Sequence, residues 1–162
     1  MKASDARTQI TLAVSAEEIA IVRELFHEYH AQIGIDLCFQ GFAHEVEGLP
    51  GEYAPPFGRL FLAAHDGAPV GCIALRAVDA TRCEMKRLFL RPEARGLGLG
   101  RALVDLLLEE ARAIGYEEIV LDTLPTLVEA QRIYEQLGFR DIPPYRENPV
   151  SGARYLGKLL NH

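Results

Sequence analysis

From Leu88 to Ala102 the chain reads Leu-Phe-Leu-Arg-Pro-Glu-Ala-Arg-Gly-Leu-Gly-Leu-Gly-Arg-Ala. Gly96, Gly98 and Gly100 alternate just where Leu103, Leu106, Leu107, Ala111 and Ile114 begin to recur at helical spacing. Glycine lets a backbone come close to a ligand. The unpaired amides of a helix start carry partial positive charge, so such a turn can cradle a phosphate or pyrophosphate. Arg95 and Arg101 flank it and can add charge-assisted contacts. A turn that only joined strand to helix would need fewer glycines. Two other glycine motifs fail: the dinucleotide pattern GxGxxG would need glycine where Arg101 stands, and the Gly-Lys-Ser/Thr ending of a nucleotide P-loop is absent.

Other reactive constellations are missing. His27 and His30 are three apart around Glu28, whereas the zinc motif HExxH needs four, and no GxSxG elbow exists. Cys83 has no histidine near it in sequence to activate a thiol. Cys38, Cys72 and Cys83 are odd in number and scattered, as buried reduced thiols would be. The site is therefore expected to hold no metal. Seventeen Lys and Arg against 23 Asp and Glu give a net charge of −6 without a basic stripe, which argues against nucleic acid as a partner and fits a solvated acidic surface.

At 162 residues, with 49% hydrophobic and 25% charged side chains, the chain is one globular domain with its core at about 9–160. No apolar run nears the ~18 residues of a membrane span. The start, MKASDARTQ, lacks a secretory stretch, so a cytoplasmic protein is expected. Gln9 to Val14 alternates as a half-buried strand. Ser15 then caps a helix, with Glu18 completing the box and Ile19, Val22, Leu25 and Phe26 running to about Ile33. Phe42 to Leu49 suggests a short helix, and the Pro- and Gly-rich stretch 50–58 a loop without regular structure. Arg59 to His65 and Val70 to Val78 read as strands joined at Asp66-Gly67, followed by a strand at Cys83 to Leu90. After the glycine turn come a helix ending at Gly115, a buried strand Ile119 to Thr123, a helix Val128 to Leu137, and a strand pair at Phe139 to Ile142 and Arg154 to Leu160. This order predicts an α/β or α+β fold with one mixed central sheet and flanking helices.

Arg95-Gly96-Leu97-Gly98-Leu99-Gly100 resembles the acyl-coenzyme A signature R/Q-x-x-G-x-G/A of the GNAT N-acetyltransferase superfamily. Leu88 to Pro92 resembles the strand that precedes it, and Ala130 to Phe139, read as A-x-x-x-Y-x-x-x-G-F, resembles the family's later helix. The likeness covers nearly the whole chain. It implies acetyl-coenzyme A as co-substrate, with the pantetheine arm in a V-shaped gap between the strands Glu84 to Leu90 and Ile119 to Thr123. The arm would pair with the backbone of Leu88 and Leu90 on either side of Phe89, and Arg95 to Arg101 (Arg95, Gly96, Leu97, Gly98, Leu99, Gly100, Arg101) would hold the phosphates. Such a gap needs a bulge or splay, and a freed amide near Leu88 could polarise the thioester carbonyl.

By the same resemblance Tyr134 is the acid that protonates the departing thiolate, a role a phenol can fill. The alternative is a core tyrosine. Glu84, which shares a sheet face with Lys86, matches a position that is often glutamate in the family and would take a proton from the acceptor ammonium. A strand-end ion pair with Lys86 or Arg87 is the other reading. One departure stands out, since Leu127 occupies a place where many members have asparagine.

The expected activity is acetyl transfer to a small-molecule or peptide amine by direct attack in a ternary complex. The alternatives are an acyl-coenzyme A sensor without turnover, which would need no acid at Tyr134, and an enzyme using a longer acyl donor. The loop 50–58, the end of the first helix and Pro143 to Pro149 are expected to bind the acceptor. A homodimer stays open.

Overall fold

The computed structural model describes residues 7–34 and 41–160; Cys38 lies outside them. Seven strands form one sheet: β1 (Thr8–Leu12), β2 (Arg59–His65), β3 (Ala68–Ala77), β4 (Arg82–Leu90), β5 (Glu118–Thr123), β6 (Arg140–Asp141) and β7 (Arg154–Leu159). Their order across the sheet is β1-β2-β3-β4-β5-β7-β6. Among the described residues only β4 and β5 pair in parallel, so the sheet is mixed, as expected.

Helices α1 (Ala16–Ile33) and α2 (Phe42–Glu47) cover one face, and α3 (Leu99–Ile114) and α4 (Val128–Gln136) the other. With both faces covered, β2 reads as an unbroken apolar run: Leu60 and Leu62 join the core under α1, Phe61 and Ala63 the core under α3. The box expected at the start of α1 is complete, with Ser15 Oγ accepting from the Glu18 amide and Glu18 Oε1 from the Ser15 amide. Asp66 and Gly67 both take positive φ, 51° and 81°, which is the hairpin geometry their types suggested.

Two expectations shift. Strand β1 stops at Leu12, two residues early, so Val14 is 64% exposed instead of continuing the apolar face. The stretch 50–58 is not wholly irregular, because Gly51–Tyr53 form a 3-10 turn that buries the Tyr53 ring beside Phe26. Cys72 and Cys83 are buried free thiols, and burial pushes both up, Cys83 to about 12. No helix among the described residues is long and apolar enough to cross a membrane.

Candidate active site

The parallel pairing of β4 and β5 lasts for three residue pairs, from Arg82–Glu118 to Glu84–Val120. Beyond Glu84 the strands part while β5 stays zipped to β7 as far as Thr123. A second irregularity coincides with the parting. Cys72 of β3 pairs with Phe89 and Ala74 with Lys86, so two β4 residues, Arg87 and Leu88, oppose the single residue Ile73. This is a bulge, and Arg87 takes a positive φ of 61° to make it. The extra residue interrupts the ladder beside Leu88, where the sequence reading wanted freed backbone.

The gap between the parted strands is a cleft that is partly open to solvent. Met85 to Leu88 line it from β4, Leu121 to Thr123 from β5. Leu127, Ala130 and Tyr134 line it from one face of α4. Leu127 gives α4 no side-chain cap; Gln131 reaches back to the Leu124 carbonyl at 2.8 Å. Tyr134 is 6% exposed and packs against Phe139. Burial, with a smaller push from Tyr29, raises its phenol well above the ordinary value, so it stays protonated at neutral pH.

The three glycines of the turn do different work. Gly96 and Gly98 sit at φ 81° and 78°, and a Cβ on either would point into open space. Gly98 is the N-cap of α3 and supplies no side chain to its free amides. Those open surfaces and unpaired amides fit an anionic group. Gly100 is instead a packing position, where a Cβ would come within 3.1 Å of Ile133 Cδ1. Leu99 is buried and Leu97 is 51% exposed. Arg95 folds back so that its guanidinium donates to the Leu90 carbonyl at 3.0 and 3.2 Å, bracing the turn from its flank. Arg101 is half-exposed, 3.8 Å from Asp105 one helical turn on. Phe89 points into the core beneath α1, edge-on to Tyr29.

Glu84 has a different setting from the one expected of a proton acceptor. It is fully buried; Oε1 accepts from Arg76 Nε at 2.9 Å and from Arg146, and Oε2 from the Tyr145 hydroxyl at 2.6 Å. Burial alone would raise its pKa, but the charges of Lys86, Arg146 and Arg76 and the Tyr145 hydrogen bond outweigh it and hold it below the carboxylate norm. A carboxylate with both oxygens taken and a depressed pKa is a poor base. Arg76 and Arg146 pair with it, and the charge of Lys86, the sequence neighbour expected to do so, acts on it as well, while Arg87 pairs with Glu45.

Three further groups escaped the sequence reading. Arg87 meets Glu45 of α2 in a buried two-bond pair and lies over the rings of Tyr29 and Phe42. Lys86 lines the cleft at 6% exposure; burial, then the charges of Arg87, Arg146 and Arg76, push its ammonium down to about 7 against the pull of Glu84. Asp122 faces the cleft from β5 and is held by Asn148 at 3.0 Å. The segment 143–149, expected to meet the acceptor, reaches the cleft through Asn148, while its Tyr145 and Arg146 bind Glu84.

The sequence profile described as the Acetyltransferase (GNAT) family matches residues 21–139. An uncharacterised N-acetyltransferase of Schizosaccharomyces pombe is 40% identical over 134 residues, 82% of each chain. An acetyltransferase structure from Streptococcus agalactiae superposes with a TM-score of 0.80 at 25% identity, covering 96% of this chain and 100% of its own. A more distant one from Salmonella typhimurium, solved with acetyl-coenzyme A, superposes at 0.65 with 19% identity over 96% of this chain and 95% of its own, a likeness of fold.

Proposed function

Because the chain belongs to the GNAT family of N-acetyltransferases, we propose that it moves an acetyl group from acetyl-coenzyme A to the amine of an acceptor by direct attack within a ternary complex. The observation that carries this reading is the coincidence of the splay and the bulge. The β4 edge loses its β5 partner after Glu84, and the ladder on its other side is interrupted at Arg87 and Leu88, so backbone groups are available where a thioester arm would lie.

In this reading the amides at the start of α3 and the open faces of Gly96 and Gly98 hold the pyrophosphate, and the β4 backbone from Leu88 to Leu90 aligns the pantetheine arm. An amide near Leu88, fixed in place by the bulge, polarises the thioester carbonyl. Fixed donors of this kind are worth roughly 2.7–4 kcal/mol where one has been removed. The amine nitrogen forms a bond to the carbonyl carbon, the carbon–sulfur bond breaks, and the thiolate takes the Tyr134 proton; the proton lost by nitrogen leaves through solvent. Glu84 serves as a strut, tying Tyr145 and Arg146 of the connection before β7 to β4. The sensor alternative has no use for a protonated phenol lining the gap.

Acetyl-coenzyme A should raise the melting temperature, since a ligand that binds only the folded state adds about 2.7 kcal/mol at a hundredfold excess over Kd. Release of free thiol should then follow addition of an accepted amine. No shift at millimolar acetyl-coenzyme A, or an equal shift with NAD, would refute the assignment.

A further inference from the structure

With both oxygens of Glu84 engaged, the proton that an acceptor amine must shed needs another destination. Among the described residues that line the cleft, Asp122 is the single carboxylate. Its backbone is fixed, because β5 stays paired to β7 through Asp122–Tyr155 after β4 has left its other edge. Strand alternation sends Ile119 and Leu121 into the core under α3 and Asp122 to the opposite face, toward α1. Tyr134 belongs to the α3 side, so the acid assigned to sulfur and this carboxylate reach the gap from opposite faces of the sheet.

The Asp122 carboxylate is half-buried and held from one side. Asn148 Nδ2 donates to Oδ2 at 3.0 Å, and no Lys, Arg or His nitrogen among the described residues comes within salt-bridge distance of the carboxylate. Glu84 and Glu45, by contrast, are both paired with arginines. The Asp122 charge is felt inside the cleft. Burial leads in raising the Tyr29 phenol and Asp122 adds to it, as it does for Tyr145 after burial and Glu84. A carboxylate with one oxygen fixed by a neutral amide keeps the other for an ammonium group.

Resting on the acetyltransferase reading, we propose that Asp122 is the catalytic base: it receives the acceptor as an ammonium ion and takes one proton from it. The N–H bond breaks, its electron pair stays on nitrogen, and the proton passes to Oδ1, the oxygen Asn148 leaves open, and on to solvent. The neutral amine then attacks the thioester carbonyl. The second nitrogen proton is lost once the carbon–nitrogen bond has formed, which balances the proton Tyr134 gives to sulfur. Aliphatic amines are mostly protonated at neutral pH, so an anchor for the cation and a base for its proton are wanted at the same place.

The test uses an amine found by thiol release from acetyl-coenzyme A in a panel of amino acids, polyamines and short peptides. Asp122→Asn, nearly isosteric, should keep its melting temperature and its stabilisation by acetyl-coenzyme A, while kcat/KM for that amine falls by roughly 10²–10⁴ at pH 7. The variant must wait for free amine from solution, so relative to the parent its kcat/KM should climb about tenfold per pH unit up to the amine's own pKa. Lys86 and Arg87 of β4, Tyr29 of α1 and Tyr145 of the connection before β7, the other titratable groups around Asp122, are present in both chains and cancel from that ratio. Asn148→Asp gives a second reading. It keeps the bond from the Val150 amide and sets a like charge beside Asp122, which should move the acid-side fall of kcat/KM to higher pH. A parent-to-variant ratio that does not change with pH, an Asn148→Asp profile that does not move, or loss of stabilisation along with activity in Asp122→Asn would each overturn the proposal. So would a chain that acetyl-coenzyme A stabilises but that acetylates no member of the panel. Absence of any stabilisation of the parent by acetyl-coenzyme A would instead overturn the acetyltransferase reading, and this proposal with it.

Discussion

Arg87 and Glu45 are locked to each other through two hydrogen bonds of 2.9 and 2.8 Å, with side chains only 2% and 12% exposed. The pair ties α2 to the bulge on β4, at the residue whose φ of 61° opens the ladder beside the cleft. Removing one member of a buried pair leaves the other charged and uncompensated, which costs about 3–5 kcal/mol. For a chain of this size that is a melting temperature lower by roughly 6–20 °C, and this is the result expected for Glu45→Ala. The Arg87 charge and hydrogen bonds outweigh burial and hold the Glu45 carboxyl below its ordinary 4.5, so its contribution is present at neutral pH and lost as acid protonates it below that value. Denaturation followed between pH 7 and pH 3 should therefore show a steeper acid loss in the parent than in the variant. Parallel curves would count against the pair as an anchor of the bulge.

The glycine turn separates a binding role from a packing role. Gly98→Val places a branched side chain at φ 78°, where L-residues are strained, and fills the space a phosphate would use. Stabilisation by acetyl-coenzyme A should vanish in a variant that still folds. Gly100→Ala has only a flexible Ile133 methyl to displace by a few tenths of an ångström, and alanine favours a helix interior by about 0.5–1 kcal/mol over glycine. Its stability should change little and its response to acetyl-coenzyme A should survive. If both variants, or neither, lost that response, the two glycines would not have separate roles.

Much of this architecture is legible in the chain because local physics dictates it. The Ser15–Glu18 box, the Asp66-Gly67 hairpin and the glycine-ended α3 are written in residues that are neighbours in sequence. The turn glycines can be read from local physics too, whereas Tyr134 is singled out by the family resemblance. What could not be read is whatever depends on distant partners. Nothing in Lys86-Arg87-Leu88 signals that an arginine will adopt a positive φ, because the strain is compensated by Glu45, 42 residues away in sequence. Glu84 is offered as a base because its position resembles one that is often glutamate in the family, and sequence neighbours could not show what would occupy its oxygens. The groups that occupy them, Tyr145 and Arg146, lie 61 and 62 residues further on.

Lys86 should leave a signature in the pH dependence of stability. Its ammonium is pushed from 10.5 down to about 7 by burial and by Arg87, Arg146 and Arg76, which face it from β4, the connection before β7, and β3. Glu84 pulls the other way, while Asp122 on β5 and Glu45 on α2 complete the charged surroundings. Between pH 7 and 10.5 the unfolded chain binds a proton that the folded chain does not, so this group makes stability rise with pH, by at most about 1.4 kcal/mol per unit. Lys86→Met removes the buried charge. The variant should be more stable than the parent at pH 6.5, with the difference closing toward pH 10. A difference independent of pH would mean that Lys86 stays charged through this range.

Tyr134 is the residue on which enzyme and sensor part company. Its ring is buried against Phe139, and its side chain lines the gap between β4 and β5. Tyr134→Phe keeps the ring and removes only the oxygen, so packing, melting temperature and stabilisation by acetyl-coenzyme A should be nearly unchanged. If the phenol delivers its proton to sulfur in the transition state, kcat with an accepted amine should fall by roughly 10²–10⁴. The loss should shrink with an acyl donor whose thiol is more acidic, because a better leaving group needs less help from an acid. A phenylalanine variant that turns over at the parent rate with coenzyme A itself would leave Tyr134 as a wall of the cleft and solvent as the proton source.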